Sequence, residues 1–279
     1  MADAAGAGDL APMSERYTRP DWVRRLNAMA DAIGADARRL VPLDAADLLD
    51  TVRADLGAWP EGDLGEPGWQ RHFESLVAAI DAMDLHVVGR LMSRQELLRA
   101  LRTRLLMTAA VDARPAILDE RVAAPLIVTG PARSGTTILF ELLGLDPELR
   151  APTAWEALHP VPRPEDRAGD RRRAAAECEQ ELWADIQPEF AAIHELRSDL
   201  PVECITLTAP CFSGSHWPMV LPVETWRPDV EASYRYHRSL LQVLQHGSLL
   251  GRDLRGQAEE PARRLCNVAS RGEDVVAHQ

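Results

Sequence analysis

A Gly-rich octapeptide, GPARSGTT at residues 130–137, contains the residue types that can bind a small oxyanion. Glycines at its first and sixth positions permit a tight turn and a close approach of the backbone to a ligand. The arginine between them offers a planar fork of N–H donors, and the serine and two threonines add hydroxyl groups. Because these donors are clustered, the spacing predicts a binding site for a phosphate or sulfate group.

The same loop differs from that of nucleotide hydrolases at one decisive position. Gly130 and Gly135 match the GxxxxG half of a Walker A loop, in which a lysine and then a serine or threonine should follow. Thr136 occupies the lysine position, and all 31 basic residues of the chain are arginines. Since no lysine can reach the terminal phosphates of ATP or GTP, a kinase-like nucleotide-binding protein is a disfavoured alternative.

A strand and a helix are predicted on either side of the loop. The apolar run LIV at 126–128 enters the loop and is typical of a buried parallel strand. A short apolar segment ended by Gly144 follows the loop. We therefore predict a strand at 126–129 and a helix at 136–143, with the N–H groups of residues 133–137 facing one point.

Composition and periodicity divide the chain into four parts. Residues 1–20 are rich in small residues without periodicity, which predicts a disordered tail. Residues 21–120 place apolar side chains at three- and four-residue spacing, which predicts a helical N-terminal region of about four amphipathic helices. Residues 121–246 contain the strand–loop–helix unit and predict a partial parallel sheet. Residues 247–279 lack a sustained apolar period, which predicts an unstructured or frameshifted tail.

Charge and cysteine usage restrict the class of protein. The formal net charge of -12 argues against a nucleic-acid partner, because neutralising phosphates requires many clustered cations. The four cysteines form no CxxC pair, so neither a metal site nor a disulfide framework is indicated. No stretch reaches the roughly 18 apolar residues of a membrane span. We expect a cytoplasmic protein without an integral membrane segment.

The segment PLIVTGPARSGTTILFELLGLDPELRAP resembles the loop region of sulfotransferases that use 3′-phosphoadenosine 5′-phosphosulfate (PAPS). APTAWEALHP at 151–160 and ELRSDLPVEC at 195–204 further resemble actinobacterial members of this family. The resemblance implies a P-loop-like α/β sulfotransferase core and PAPS as cofactor. It also implies sulfuryl transfer to a hydroxyl or amine of a small-molecule acceptor, which includes lipids and other apolar alcohols. The loop residues that it implies for the 5′-phosphosulfate are Gly130, Arg133, Ser134, Gly135, Thr136 and Thr137.

Sulfuryl transfer requires a base that takes the proton of the acceptor, and related enzymes use a histidine or a glutamate. Glu156 is the first candidate, because the chain returns toward the carboxyl edge of the sheet about twenty residues after the loop. His159 is the second candidate and His194 the third. A helix cap or ion pair remains open for Glu156, and a structural role for each histidine. Glu203 either positions substrate or pairs with an arginine.

Two further groups of residues allow a functional and a structural interpretation. The run Arg171–Arg173 either forms a solvated helix face or meets an anionic group. Aromatic residues in the last third of the chain either line an apolar acceptor pocket or belong to the core. These aromatic residues are Trp217, Trp226, Tyr234 and Tyr236.

The sequence after Gln245 departs from the family pattern. Members of the family continue with a WVLKSP-type strand and an HRDP-like turn that binds the 3′-phosphate of the cofactor, and neither occurs here. We therefore expect a C-terminal truncation or a coding frameshift, and a protein that is inactive in this form. A non-catalytic remnant with an anion-binding loop is the alternative from a different functional class.

Overall fold

A computed structural model describes residues 18–57, 59–122, 125–131, 134–163, 171–192, 194–219, 227–253 and 263–269. The α-helices are α1 (Asp21–Ala32), α2 (Ala37–Leu40), α3 (Ala45–Leu56), α4 (Trp69–Asp81), α5 (Val87–Ala113), α6 (Thr136–Leu143), α7 (Ala154–Leu158), α8 (Arg172–Ile186), α9 (Cys204–Leu207) and α10 (Val230–Asp253). The strands are β1 (Leu126–Gly130), β2 (Leu149–Arg150) and β3 (Arg263–Ala269). Short 3-10 turns occur at Pro115–Asp119, Pro188–Ala192, Ala209–Cys211 and Trp217–Met219.

The helices predicted between residues 21 and 120 are present as α1 to α5. α3 shows how the local sequence sets its limits. The Asp44 side chain accepts a hydrogen bond from the Asp47 backbone N–H at 2.9 Å, which satisfies a donor of the first turn. Gly57 ends the helix in a left-handed conformation with φ 64°, which suits a residue without a side chain.

α5 contains 27 residues and carries arginines that are buried inside the protein. Arg90 and Arg104 are fully buried, and Arg99 is nearly so. These charged side chains have partners within the fold, as buried guanidinium groups require. Within the part of the chain that the structure describes, no helix has both the length and the apolar character needed to cross a membrane.

The largest core lies between α4 and α5 and includes an aromatic residue from the second half of the chain. Phe73 of α4 and Leu97 and Leu101 of α5 have no exposed surface. Phe212 packs edge-on against Phe73 with ring centroids 4.8 Å apart. The helical region and the segment around residue 212 therefore share one hydrophobic core.

A buried ion pair of the helical region also contacts the second half of the chain. Arg104 Nη1 donates to Glu66 Oε2 at 2.6 Å and to the Pro210 carbonyl at 3.3 Å. Its guanidinium carbon lies 4.7 Å from the ring centroid of Trp69 and 5.4 Å from that of Tyr236. The charge is thus matched by a carboxylate and by two aromatic faces inside the protein.

The described strands form a parallel sheet in the order β1-β3-β2. β1 pairs with β3 along its whole length, from Leu126 opposite Leu265 to Gly130 opposite Ala269. The two residues of β2 pair with the start of β3. Because all strands are parallel, the carboxyl end of β1 and the loop that follows it lie at one edge of the sheet.

The segment after His246 differs from the predicted unstructured tail. α10 continues to Asp253, and Arg263–Ala269 forms the central strand of the sheet. The prediction used apolar periodicity, whereas a parallel strand is held by backbone hydrogen bonds to both neighbours. β1 and β2 offer such partners to an extended segment of suitable length. The prediction is therefore wrong for 247–253 and for 263–269.

α6 packs one face against the sheet and leaves the other exposed. Phe140 is 1% exposed and contacts Val128 of β1 in a small core beside the sheet. Ile138 and Leu142 on the other face are each 59% exposed, and Leu145 after the helix is 79% exposed. The helix is thus held to the sheet along a single apolar row.

Two glutamines of α10 hold the segment that leads into β1. Gln242 Nε2 donates to the carbonyls of Leu118 at 2.7 Å and Glu120 at 3.0 Å. Gln245 Nε2 donates to the Arg121 carbonyl at 3.2 Å. These bonds satisfy backbone acceptors of a non-helical segment and so position the entry to the strand and its loop.

Candidate active site

The loop after β1 opens onto the first turn of α6. β1 ends at Gly130, and α6 begins at Thr136 with Gly135 as the residue before it. Both element limits agree with the sequence-based prediction to within one residue. Among the described side chains, none caps the start of α6. Its first N–H groups are therefore available to a ligand anion, in the arrangement by which strand–loop–helix units bind phosphate.

Two glycines are required by the shape of this loop. Gly135 has φ 89°, a left-handed conformation that strains a residue with a side chain. A Cβ atom on Gly130 would lie 2.8 Å from Ser134 Oγ and 3.0 Å from Thr136 Cγ2. A side chain at either position would therefore deform the loop, and a methyl group at Gly130 would fill the space beside its hydroxyls.

The described loop side chains are accessible to a ligand. Ser134 and Gly135 are exposed, and Thr136 and Thr137 are half-buried. Arg133, which the family resemblance assigns to the 5′-phosphosulfate, lies outside the described residues. The assignment of all six loop residues to the cofactor therefore stays a prediction.

Glu203 reaches the loop from a distant part of the chain. The Thr137 hydroxyl donates to Glu203 Oε1 at 3.3 Å across a separation of 66 residues. Glu203 stands immediately before α9, and its residue is partly buried. The sequence singled out Glu203 only through the LPVEC motif, because a contact over such a separation leaves no periodic signal.

Glu156 caps the start of α7 and pairs with an arginine. Its Oε2 accepts from the backbone N–H and from the hydroxyl of Thr153, each at 3.1 Å, in a reciprocal capping box. Its Oε1 accepts from Nη2 of Arg150. Both carboxylate oxygens are therefore engaged, which matches the helix-cap interpretation that the sequence left open. The catalytic role of Glu156 stays a prediction.

The candidate histidines are held by other elements. His159 Nε2 lies 3.2 Å from Glu179 Oε2 of α8. His194 follows the turn that contains Phe190, and the two rings lie 5.7 Å apart between centroids. Neither histidine has a described hydrogen bond to the loop. Their assignments as base also stay predictions.

β1, the glycine-bounded loop and α6, whose start no described side chain caps, follow one another as a strand–loop–helix unit. Within the described residues no three His, Cys, Asp or Glu side chains converge as metal ligands would. Residues 125–245 match the model of the sulfotransferase family. This matched segment contains both the loop and Glu203.

Two solved sulfotransferases have a similar fold. STF9 from Mycobacterium avium is 25% identical with a TM-score of 0.61, and the match covers 81% of this chain and 56% of STF9. STF1 from Mycobacterium tuberculosis H37Rv is 24% identical with a TM-score of 0.61, and the match covers 80% of this chain and 60% of STF1. The chain thus spans less than two thirds of the length of either structure. No curated protein matches the chain significantly.

Proposed function

We propose that the protein binds PAPS and transfers its sulfuryl group to a hydroxyl or amine of a small-molecule acceptor; the inactivity expected from the sequence stays a prediction, which the turnover assay below tests. The observation that carries this proposal is the N-terminus of α6, which no described side chain caps, behind a glycine-bounded loop in a segment that matches the sulfotransferase family model. PAPS supplies an activated sulfuryl group whose transfer is driven by a good phosphate leaving group. The residues of the chain then have to bind PAPS, orient the acceptor next to the sulfuryl group and take the proton of the acceptor.

The loop fits the 5′-phosphosulfate in shape and in charge. The absent side chain at Gly130 leaves the space that a Cβ would occupy next to Ser134 and Thr136. Backbone N–H groups at the start of α6, including that of Thr137, and the hydroxyl of Thr136 are neutral donors for an anion. Arg133 adds the positive charge in this proposal, and together these donors stabilise charge as the sulfuryl group moves.

Glu203 is the carboxylate that we assign as the general base. Its contact with Thr137 Oγ1 at 3.3 Å puts it beside the loop that would hold the reacting group. From there a carboxylate can accept the proton that the acceptor loses as its oxygen or nitrogen attacks sulfur. Glu156 remains the alternative base, although Arg150 and Thr153 already occupy its two oxygens.

Binding of the donor is tested by calorimetric titration with adenosine 3′,5′-bisphosphate, the product left after sulfuryl transfer. We expect Arg133→Ala to weaken this binding by roughly tenfold to a hundredfold, the equivalent of one hydrogen bond to a charged group. Arg238→Ala is the matched control, because Arg238 is exposed on α10 and the variant loses the same charge. Wild-type protein that fails to bind the bisphosphate would refute the proposal.

Catalysis is tested by release of the bisphosphate from PAPS in the presence of small phenols and aliphatic alcohols. We expect Glu203→Gln to lower kcat by a factor of about a hundred to ten thousand, with little change in bisphosphate affinity. Full turnover in Glu203→Gln combined with loss of turnover in Glu156→Gln would transfer the role of base to Glu156. Binding without any turnover in wild type would favour the non-catalytic anion-binding alternative.

A further inference from the structure

An arginine-rich cleft lies apart from the loop, and none of residues 130–137 lines it. Its volume is about 280 Å³, and its walls come from α5, from the segment after α7 and from the first turn of α8. Five guanidinium groups line this cleft, those of Arg99, Arg102, Arg163, Arg171 and Arg172. The chain as a whole has a net charge of -12, so this cleft is a positively charged site on a negatively charged protein.

The inner end of the cleft is a closed ion-pair network. Arg99 pairs with Glu96 and, at 3.6 Å, with Glu179, which also holds His159 Nε2 at 3.2 Å. Burial works to raise the pKa of Glu96, but the charges of Arg99 and His216 lower it to about 2. The charge of Glu96 is therefore matched by Arg99 and His216 within the protein.

At the outer end of the cleft, arginines have N–H groups that their described partners do not use. Arg102 uses Nε and Nη2 to bind one oxygen of Asp55, with an Nε distance of 2.8 Å. A guanidinium has five N–H groups, so the others of Arg102 can reach a ligand. Arg171 is exposed and has no carboxylate within ion-pair distance among the described residues. The first turn of α8 contains no acidic residue, and none of the described side chains caps it, so its backbone N–H groups add to this positive end.

The lining also includes apolar surface. Leu106, Pro160, Val161 and Ala175 lie between the guanidinium groups. The cleft is close to the lower limit of about 300 Å³ for small-molecule sites. An inorganic ion would leave this apolar surface in contact with water, whereas a small organic anion would cover it.

We propose that this cleft binds the phosphate or carboxylate group of a small molecule, with Arg102 and Arg171 as its main donors. The fork of N–H donors in a guanidinium group can bind two oxygens of either group at once. The site is separate from the phosphosulfate loop and does not depend on the proposed sulfuryl transfer, because no loop residue contributes to it.

Arginine footprinting tests the site in the wild-type chain. Phenylglyoxal modifies accessible arginines, and the modified residues are found by mass spectrometry. We expect saturating phenyl phosphate to slow the modification of Arg171 by about tenfold or more and to leave the exposed Arg238 unchanged. Equal modification of Arg171 with and without phenyl phosphate would overturn the proposal.

Paired variants test the donors. Arg102→Gln combined with Arg171→Gln should weaken phenyl phosphate binding by about tenfold or more in titration. The control combines Arg25→Gln with Arg238→Gln, which likewise removes one arginine paired with an aspartate and one exposed arginine, and it should bind as wild type does. Equal weakening in both double variants would show a general charge effect and overturn the proposal.

Two comparisons separate the source of the anion and the role of the loop. Tighter binding of phenyl phosphate than of inorganic phosphate supports an organic ligand, and equal binding supports the free ion as the occupant of the same site.

Protection of Arg171 should persist in Ser134→Ala/Thr137→Val, which alters the loop. If the wild type fails to bind adenosine 3′,5′-bisphosphate while Arg171 remains protected, the proposed function fails and the cleft stands. Loss of protection in the loop variant would overturn the separate site.

Discussion

The carboxylates Glu156 and Glu203 differ in what their oxygens contact. Glu156 binds Arg150 and caps its own helix, and its side chain is 11% exposed. Glu203 contacts Thr137 of the loop. Distance along the chain favoured Glu156, because it follows the loop closely. Packing brought Glu203 to the loop instead, and only the tertiary structure reveals such a contact.

Glu156→Gln should lower the free energy of unfolding by about 1–3 kcal/mol. A glutamine keeps the capping geometry but removes the charge that matches Arg150, whose Nη1 is buried without a partner among the described residues. Urea unfolding measures the change. Glu231→Gln is the matched control, because Glu231 pairs with Arg235 in the first turn of α10 but is 71% exposed. This control should cost less than about 1 kcal/mol. Equal costs for the two variants would contradict a structural role of Glu156.

At the scale of elements, α10 contains a histidine, His237, whose side chain is almost completely buried. His237 is 7% exposed, and its Nε2 has no hydrogen-bond partner among the described residues. Burial lowers the pKa of His237 from 6.5 to about 4. The unfolded chain therefore binds this proton more tightly than the folded protein does, so His237 makes stability depend on pH.

Stability should fall as the pH drops from about 6.5 toward 4. The slope from this residue is about 1.4 kcal/mol per pH unit, or about 3 kcal/mol across the interval. Urea unfolding at several pH values should show a shallower slope for His237→Phe, whatever its stability at neutral pH. Tyr234→Phe is the control on the same helix and should keep the wild-type slope. An unchanged slope in His237→Phe would contradict the prediction.

An element can be predicted from the sequence when the residues that form it interact over a few positions along the chain. β1 and α6 were predicted almost to the residue, because an apolar run and two glycines act within a few positions. β3 was missed because its position depends on the free edges of β1 and β2, far away in sequence. The same holds for the candidate site. The loop is formed by neighbouring residues and could be predicted, whereas its contact with Glu203 spans 66 residues and could not.

At the scale of the whole molecule, an apolar surface remains uncovered next to the loop. It consists of Ile138, Leu142 and Leu145, which are between 59% and 79% exposed. Contiguous apolar patches on soluble proteins favour association, because contact removes them from water. The surface follows from the single apolar row by which α6 packs on the sheet.

We expect concentration-dependent self-association of the protein, and we expect Leu142→Ser to weaken it by about fivefold. The magnitude corresponds to roughly 1 kcal/mol of apolar burial by a partly covered leucine. Sedimentation velocity measures the effect. Leu91→Ser is the control, because Leu91 is 46% exposed on α5, away from this surface. Equal weakening by both variants would contradict a specific role for the surface beside the loop.

The buried Arg104 has a consequence for the way the protein unfolds. Its guanidinium binds Glu66 of the same helical region and also contacts the Pro210 carbonyl and the Tyr236 ring from the second half of the chain. Separating the N-terminal helices from the rest would keep the Arg104–Glu66 pair but remove these two contacts, and it would also take Phe212 away from Phe73 in the core. The helical region and the core around residue 212 therefore form one cooperative unit, and no stable intermediate should retain either part alone.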